Sequence, residues 1–141
     1  MIYEYSISTT KTGFQNITGQ VLDTIRNSGV KAGIAVVYCP HTTAGITINE
    51  AADPDVLHDL LVGLDKAFPD RQEFKHSEGN SEAHLKASAI GSSVTVIIEN
   101  GKIILGTWQL TAFPCMRCLI PPGCKCCNTI RHISSKRFSR L

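Results

Sequence analysis

The dipeptide Asn100-Gly101 constrains the fold of this chain most strongly, because it separates two apolar, β-branched runs at residues 94–98 and 103–107. Asn-Gly is the strongest short-range hairpin signal, since both central residues of a tight type I′ turn need positive φ angles. The segment therefore predicts an antiparallel hairpin near the end of the main body of the chain.

Three further strands are predicted upstream of the hairpin. Roughly period-two alternation at residues 2–8 is typical of a half-buried strand, whereas the continuous apolar run at residues 33–39 predicts a strand buried on both faces. Residues 45–49 form the next predicted strand.

Helical patterns lie between these strands. Apolar residues recur at helical spacing over residues 17–25, and Asp53 followed by Pro54 is typical of an N-cap and a first helical position. A third, short helix is predicted after a polar loop, capped by Asn80 or Ser81. Strands outnumber helices without a regular β-helix-β alternation, so the predicted class is α+β.

The length of 141 residues and the hydrophobic content of 43% suit one compact domain with a substantial core. No basic and apolar leader is recognisable, and no apolar run reaches the roughly 18 residues of a membrane span. We therefore expect a soluble, cytoplasmic protein that binds no membrane, and the nearly neutral net charge gives no reason to expect a nucleic-acid partner.

Charge and cysteine content change abruptly near residue 110. Residues 1–109 hold eight Lys/Arg and all twelve Asp/Glu, whereas residues 110–141 hold six Lys/Arg and no acid. Most of the cysteines also lie after this break, which argues against a disulfide framework for the whole domain. They are Cys115, Cys118, Cys124, Cys126 and Cys127.

We therefore predict a domain at 1–109 and an atypical basic, Cys-rich tail at 110–141 that contains no periodic strand. A frameshifted or replaced carboxyl terminus would explain the break. A small zinc- or RNA-binding tail is the alternative, although the cysteine spacing matches no zinc-finger pattern.

Three histidines are candidates for the chemistry. His76 lies in the polar loop and His84 in the first turns of the following helix, so a turn at Gly79 and Asn80 could aim both rings inward. His41, after a buried strand, could supply a third ring and leave an open coordination position on a metal such as zinc. Hydrogen-bonding, anion-binding or purely structural roles are the alternatives.

Carboxylates suggest a second kind of site. Glu50, Asp53 and Asp55 could hold a magnesium ion that clamps a diphosphate. Asp53 is also explained as a helix N-cap and Asp55 as a favourable charge at a helix N-terminus, so Glu50 is the stronger candidate. Hydroxyl and amide side chains, together with the free backbone N–H groups of the helix N-termini after Asp53 and Asn80, could bind phosphate, although such residues also form caps and turns. The side chains are those of Thr42, Thr43, Ser77, Asn80 and Ser81.

Four separated motifs together resemble the YjbQ-type family of secondary thiamine-phosphate synthases. They are His-Thr-Thr-Ala-Gly-Ile-Thr-Ile-Asn-Glu at 41–50, Asp-Pro-Asp-Val at 53–56, Glu-Gly-Asn-Ser-Glu-Ala-His-Leu-Lys-Ala-Ser at 78–88, and Leu-Gly-Thr-Trp-Gln at 105–109. The resemblance covers residues 1–109. It implies an α+β domain with mixed or antiparallel sheets that assembles as a homotrimer.

The resemblance also implies a transferase activity. Such an enzyme joins hydroxymethylpyrimidine diphosphate to thiazole phosphate with release of pyrophosphate; a non-catalytic metal- or phosphate-binding regulatory trimer is the alternative. The expected ligand is a small phosphorylated heteroaromatic molecule, and the expected cofactor is a divalent metal, zinc or magnesium.

Together, the residue patterns and the resemblance predict site residues in three overlapping groups. The catalytic group is Glu50, His76 and His84; the metal ligands are His41, His76 and His84; the substrate-binding group is Thr42, Thr43, Asn80, Ser81, Trp108 and Gln109. In this scheme Trp108 stacks on a heteroaromatic ring.

Overall fold

The computed structural model describes residues 1–8, 12–50, 53–106, 115–120 and 125–131. Eight strands and three helices occur in these segments. In chain order they are β1 (Ile2–Ser8), β2 (Gly13–Asn16), α1 (Thr18–Ser28), β3 (Ala32–Tyr38), β4 (Gly45–Asn49), α2 (Pro54–Ala67), α3 (Ser81–Ile90), β5 (Ser93–Glu99), β6 (Lys102–Ile104), β7 (Cys115–Ile120) and β8 (Lys125–Arg131).

The strands form two sheets. One sheet has five strands in the order β1-β8-β3-β5-β6, and the other has three in the order β2-β7-β4. Each pairing between neighbouring strands is antiparallel. The predicted α+β class is therefore confirmed, with antiparallel sheets.

The hairpin predicted from Asn100-Gly101 joins β5 and β6. Both turn residues have positive φ, 52° and 74°, and Ile97 lies opposite Ile104 across the ladder. The second strand ends at Ile104, earlier than the predicted residue 107. The backbone N–H of Gly101 donates to the carbonyl oxygen of Lys31 at 2.9 Å, which ties the turn to the segment before β3.

The helix boundaries follow the capping residues. The carboxylate of Asp53 accepts a hydrogen bond from the backbone N–H of Asp55 at 2.8 Å, with Pro54 in the first turn, so its predicted N-cap role is confirmed. Gly29 ends α1 in the left-handed conformation, φ 69°. Asn80 occupies the N-cap position of α3 without a side-chain capping bond.

The core is formed where α1 packs on the inner face of the five-stranded sheet. Ile17, Val21 and Ile25 recur on the buried side of the helix, and β3 and β5 contribute alternating residues to the same cluster. The prediction that β3 is buried on both faces is wrong. Ala35 and Val37 are buried, but Ile34 and Tyr38 on the other face are exposed.

The carboxyl-terminal segment contains two strands, so the expectation that no strand follows residue 109 is wrong for residues 115–120 and 125–131. β7 lies between β2 and β4, and β8 lies between β1 and β3. The backbone N–H and C=O groups that form a ladder are the same for every residue except proline, so an atypical sequence can occupy these positions. The domain boundary at residue 109 stays a prediction.

Within the part of the chain that the structure describes, no helix combines the length and hydropathy needed to cross a membrane.

Candidate functional site

The turn that carries His41 is held against the connection between α3 and β5. The backbone N–H of Cys39 donates to the carbonyl oxygen of Ser92, and that of Ile46 donates to Gly91, each at 2.9 Å. These two bonds bracket residues 40–44 and fix them beside the C-terminal end of α3.

Gly45 makes this close approach possible. A Cβ atom at this position would lie 2.7 Å from Cγ2 and 2.8 Å from Cβ of Ile90, closer than real carbon contacts. Only glycine therefore allows β4 to pack on α3 at this distance, and the packing brings the His41 turn next to the helix that carries His84.

The ring of His41 is oriented by Thr43. Its Nδ1 accepts a hydrogen bond from the backbone N–H of Thr43 at 3.2 Å and lies 3.0 Å from the Thr43 hydroxyl. Thr43 is only 5% exposed. This local contact leaves Nε2 as the remaining polar atom of the ring, and Nε2 has no hydrogen-bond partner among the described residues.

His76 and His84 are in direct contact. Their ring centroids are 5.1 Å apart and their planes meet at 82°, an edge-to-face arrangement. The turn between them is closed by the backbone N–H of Gly79, which donates to the carbonyl oxygen of His76 at 3.1 Å, and Gly79 has φ 65°. The turn therefore brings the two rings into contact, and the role of the pair in a site stays a prediction. Nε2 of His76 also lies 3.7 Å from a carboxylate oxygen of Glu78.

Two adjoining cavities share His84 and Ser88. The larger has a volume of about 640 Å³ and includes polar groups of Thr42 and Ser92 together with His41 in its lining. The smaller has a volume of about 390 Å³. Its lining consists of Phe74, His76, Ser81, His84, Leu85 and Ser88. We call the two cavities together the histidine cleft, with His84 at the boundary between its two compartments.

The structure does not bring Glu50 to the histidine cleft. His41 precedes β4 and Glu50 follows it, so the five residue-to-residue steps from Gly45 to Glu50 span roughly 16 Å of extended chain. Asp53 and Asp55 lie beyond Glu50, at the start of α2. None of these three carboxylates is among the residues that line either compartment.

The remaining predicted residues have different positions. Thr42 and Ser81 line the cleft, one in each compartment, whereas Thr43 is buried beneath His41. Asn80 donates from Nδ2 to Glu78 at 3.3 Å. Trp108 and Gln109 lie outside the described residues. Whether any of these residues binds a substrate stays a prediction.

A metal site was predicted from His41, His76 and His84. No three His, Cys, Asp or Glu side chains are grouped for metal ligation within the described segments. When two imidazoles bind one tetrahedral zinc ion, with Zn–N distances of about 2.0–2.1 Å, their ring centroids lie about 5 Å apart. The pair His76 and His84 fits that spacing, but His41 does not share their contact.

Sequence reasoning missed several cleft residues. Ser88 follows His84 by four positions on α3, so helical periodicity could have placed it on the same face. Ser92 and Phe74 carry no comparable signal, because their positions depend on how the connections around α3 pack. His58 is not part of the cleft and is exposed beside Asp59 on α2.

Comparison with known proteins places the chain in a family. The family described as "UPF0047 protein YjbQ-like" matches residues 3–114. The UPF0047 protein MJ1081 of Methanocaldococcus jannaschii is 52% identical over 77% of this chain and 80% of its own length. The UPF0047 protein YugU of Bacillus subtilis is 50% identical over 77% of this chain and 84% of its own length.

Solved structures extend the similarity further along the chain. An uncharacterised conserved protein of the YjbQ/UPF0047 family from Clostridium acetobutylicum superposes with a TM-score of 0.85 at 49% identity and covers 93% of this chain and 99% of its own. A hypothetical protein from Aeropyrum pernix, 24% identical, shares the fold with a TM-score of 0.84 over 96% of this chain and 99% of its own. The chain belongs to the YjbQ/UPF0047 family.

Proposed function

We propose that the histidine cleft binds a small phosphorylated heteroaromatic molecule and that the protein is a thiamine-phosphate synthase-type transferase. The observation that carries the proposal is the division of the cleft into two compartments that meet at His84. A reaction between two substrates needs two adjoining binding places, and a combined volume of this order suits small-molecule ligands.

The compartments differ in chemistry in a way that suits the two substrates. The larger offers the hydroxyls of Thr42 and Ser92 and the ring of His41, groups that can donate hydrogen bonds to a diphosphate. The smaller offers Phe74 and Leu85 against which a flat heteroaromatic ring can pack. We assign the diphosphate to the larger compartment and the ring of the second substrate to the smaller.

The proposed reaction needs no oxidant. The bond between the pyrimidine methylene carbon and the diphosphate oxygen breaks, and its electron pair leaves with the diphosphate. The lone pair of the thiazole nitrogen then forms the new carbon–nitrogen bond, so the product carries a thiazolium charge. The contribution of the protein is to hold the two reactants together and to stabilise the departing diphosphate with hydrogen-bond donors.

A divalent cation is part of the proposal. His76 and His84 are the residues that would hold it, because their ring spacing suits two ligands of one zinc ion. A bound cation would neutralise charge that develops on the diphosphate. Magnesium, the alternative, prefers oxygen ligands.

The test is a reconstituted reaction with the full chain. Hydroxymethylpyrimidine diphosphate and thiazole phosphate are incubated with the protein and either zinc or magnesium, and thiamine phosphate and pyrophosphate are quantified. We expect His84→Ala to reduce turnover at least a hundredfold, with His58→Ala, an exposed histidine on α2, unchanged. No product above the protein-free background would refute the proposed reaction.

A non-catalytic ligand-binding protein is the second candidate. The observation that favours it is that no Asp or Glu is among the described residues lining either compartment. Calorimetry with thiazole phosphate separates the candidates: binding that depends on His84, without turnover in the reconstituted reaction, would identify a binding or regulatory module.

A homotrimer is the proposed assembly. Ile34, Ile97 and Ile104 lie opposite one another on β3, β5 and β6, on the sheet face that points away from the core. They are 37%, 59% and 48% exposed. A row of large apolar side chains on an open sheet face is typical of a surface that packs against another chain, which supports self-association through this sheet face.

A further inference from the structure

His41 differs from the other two cleft histidines because one of its ring nitrogens is already used. Its Nδ1 accepts the backbone N–H of Thr43 at 3.2 Å. A backbone amide can only donate, so Nδ1 must present its lone pair. The proton of the neutral ring therefore lies on Nε2, since the hydrogen bond of one ring nitrogen decides the state of the other.

The Thr43 hydroxyl is compatible with this assignment. It lies 3.0 Å from Nδ1 and can donate to the same lone pair, whereas the backbone N–H is the group that decides the tautomer. Because Thr43 is 5% exposed, its N–H has little access to water and depends on the histidine for a partner. The contacts with Thr43 thus hold the ring in one orientation and favour the neutral tautomer that carries its proton on Nε2.

Metal-binding histidines usually have the opposite arrangement. One nitrogen presents its lone pair to the metal, while the other donates its N–H to a carboxylate or a carbonyl group. In His41 the available lone pair is directed at Thr43, and Nε2 carries the proton. Nδ1 can ligate a cation only if its contact with Thr43 is lost. Nε2 can ligate a cation only if it loses its proton.

The surroundings of His41 suit a ligand that accepts hydrogen bonds. The larger compartment also contains the hydroxyls of Thr42 and Ser92, and none of its described lining residues is an Asp or Glu that would repel an anion. An oxygen of a phosphate or diphosphate is the acceptor that matches an imidazole N–H with hydroxyl neighbours.

We propose that His41 is a fixed hydrogen-bond donor, through Nε2–H, to a phosphate or diphosphate oxygen in the larger compartment, and that it is not a metal ligand. The inference rests on the proposed function in taking the histidine cleft as the ligand site. It is independent of whether the bound molecule then reacts. If a cation binds in the cleft, its histidine ligands are His76 and His84.

The first test determines which ring nitrogen of His41 carries the proton in the unmodified protein. Long-range proton–nitrogen NMR correlations of the ¹⁵N-labelled full chain distinguish the two neutral tautomers, and comparison with His41→Gln assigns the His41 signals. We expect the Nε2–H tautomer, with the Nε2 signal shifting when inorganic pyrophosphate is added without metal. A proton on Nδ1, or loss of the Nε2–H signal on adding zinc, would overturn the inference.

The second test replaces His41 with two residues that each keep a hydrogen-bond donor, but at different distances from the main chain. The amide nitrogen of glutamine reaches about as far as Nε2, whereas that of asparagine reaches only about as far as Nδ1. By calorimetry, pyrophosphate affinity should fall at least tenfold in His41→Asn and stay within threefold in His41→Gln. His58→Gln serves as the matched control for replacing a histidine, and we expect it to bind like the unmodified chain.

The outcomes separate this inference from the proposed reaction. Equal pyrophosphate affinity in His41→Asn and the unmodified chain, or no pyrophosphate binding at all, would overturn the donor role. Normal pyrophosphate binding that depends on His41, together with no thiamine phosphate formed, would retain the donor role and refute only the reaction.

Discussion

The imidazole of His84 meets that of His76 edge to face, with ring centroids 5.1 Å apart, although one ring lies on a helix and the other in a loop. The contact depends on the tight turn at Gly79, whose φ of 65° is readily adopted by glycine. It joins the two compartments of the histidine cleft, because His84 lines both.

This contact predicts cooperation in zinc binding. If the two rings are ligands of one ion, His76→Ala and His84→Ala should each weaken zinc affinity at least tenfold, because removing either ligand leaves an incomplete coordination shell. Calorimetric titration of metal-free protein measures the effect, with His58→Ala as the control. Zinc affinity that is unchanged in both cleft variants would exclude the pair as ligands.

Gly45 predicts an effect of close backbone packing on stability. Gly45→Ala places a methyl group 2.7–2.8 Å from Ile90, so we expect a loss of about 1–3 kcal/mol in the free energy of unfolding. Denaturant unfolding at a fixed protein concentration measures it.

A second glycine provides the matched control for this substitution. Gly63 lies inside α2, and a Cβ atom there would meet nothing within 4 Å. Gly63→Ala should therefore stabilise the protein by about 0.4–1 kcal/mol, because alanine restricts the unfolded chain and favours a helix. If Gly45→Ala behaves like Gly63→Ala, the close packing of β4 on α3 is incorrect.

The row of exposed isoleucines predicts the assembly state. Threonine and valine have nearly the same shape, so Ile97→Val and Ile97→Thr differ mainly in one hydroxyl group on the outer sheet face. We expect Ile97→Val to remain trimeric and Ile97→Thr to shift toward monomer, because the hydroxyl would be desolvated in the interface. Light scattering over a dilution series measures the molecular mass. A monomeric unmodified chain would contradict the proposed trimer.

The carboxyl-terminal strands predict the effect of truncation. A chain that ends after Pro114 lacks β7 and β8, which leaves β1, β2, β3 and β4 with unpaired edges. We expect this chain to aggregate, because open strand edges pair with other molecules. A chain that ends after Arg131 keeps all eight strands and should stay soluble. Soluble yield and light scattering compare the two, and a well-folded shorter chain would show that β7 and β8 are dispensable.

Local patterns predicted local structure well. Asn100-Gly101 predicts the hairpin because its turn geometry depends on those two residues alone, and Asp53-Pro54 predicts the start of α2 for the same reason. The contact between His76 and His84 was also accessible, since only a short turn separates them in the chain.

Features that depend on distant contacts were not predictable in this way. Ile34 on the exposed face of β3 resembles the buried residues beside it, so composition cannot distinguish the two faces. β7 carries no alternating pattern and nevertheless pairs with β2 and β4 on both sides. His41 and Glu50 lie at opposite ends of β4, and a grouping of residue types by chemistry does not take that separation into account.

The pairing of Ile2 with Arg131 has a consequence for how the protein is made. During synthesis β1 finds its partner, β8, only after the whole segment between them has been made, and β7 likewise enters between two strands made much earlier. Such pairings between distant parts of a sequence are slow to form. The nascent chain therefore has to keep β1, β2, β3 and β4 incompletely paired until β7 and β8 have been synthesised, which makes this interval the stage at which a chaperone would have most effect.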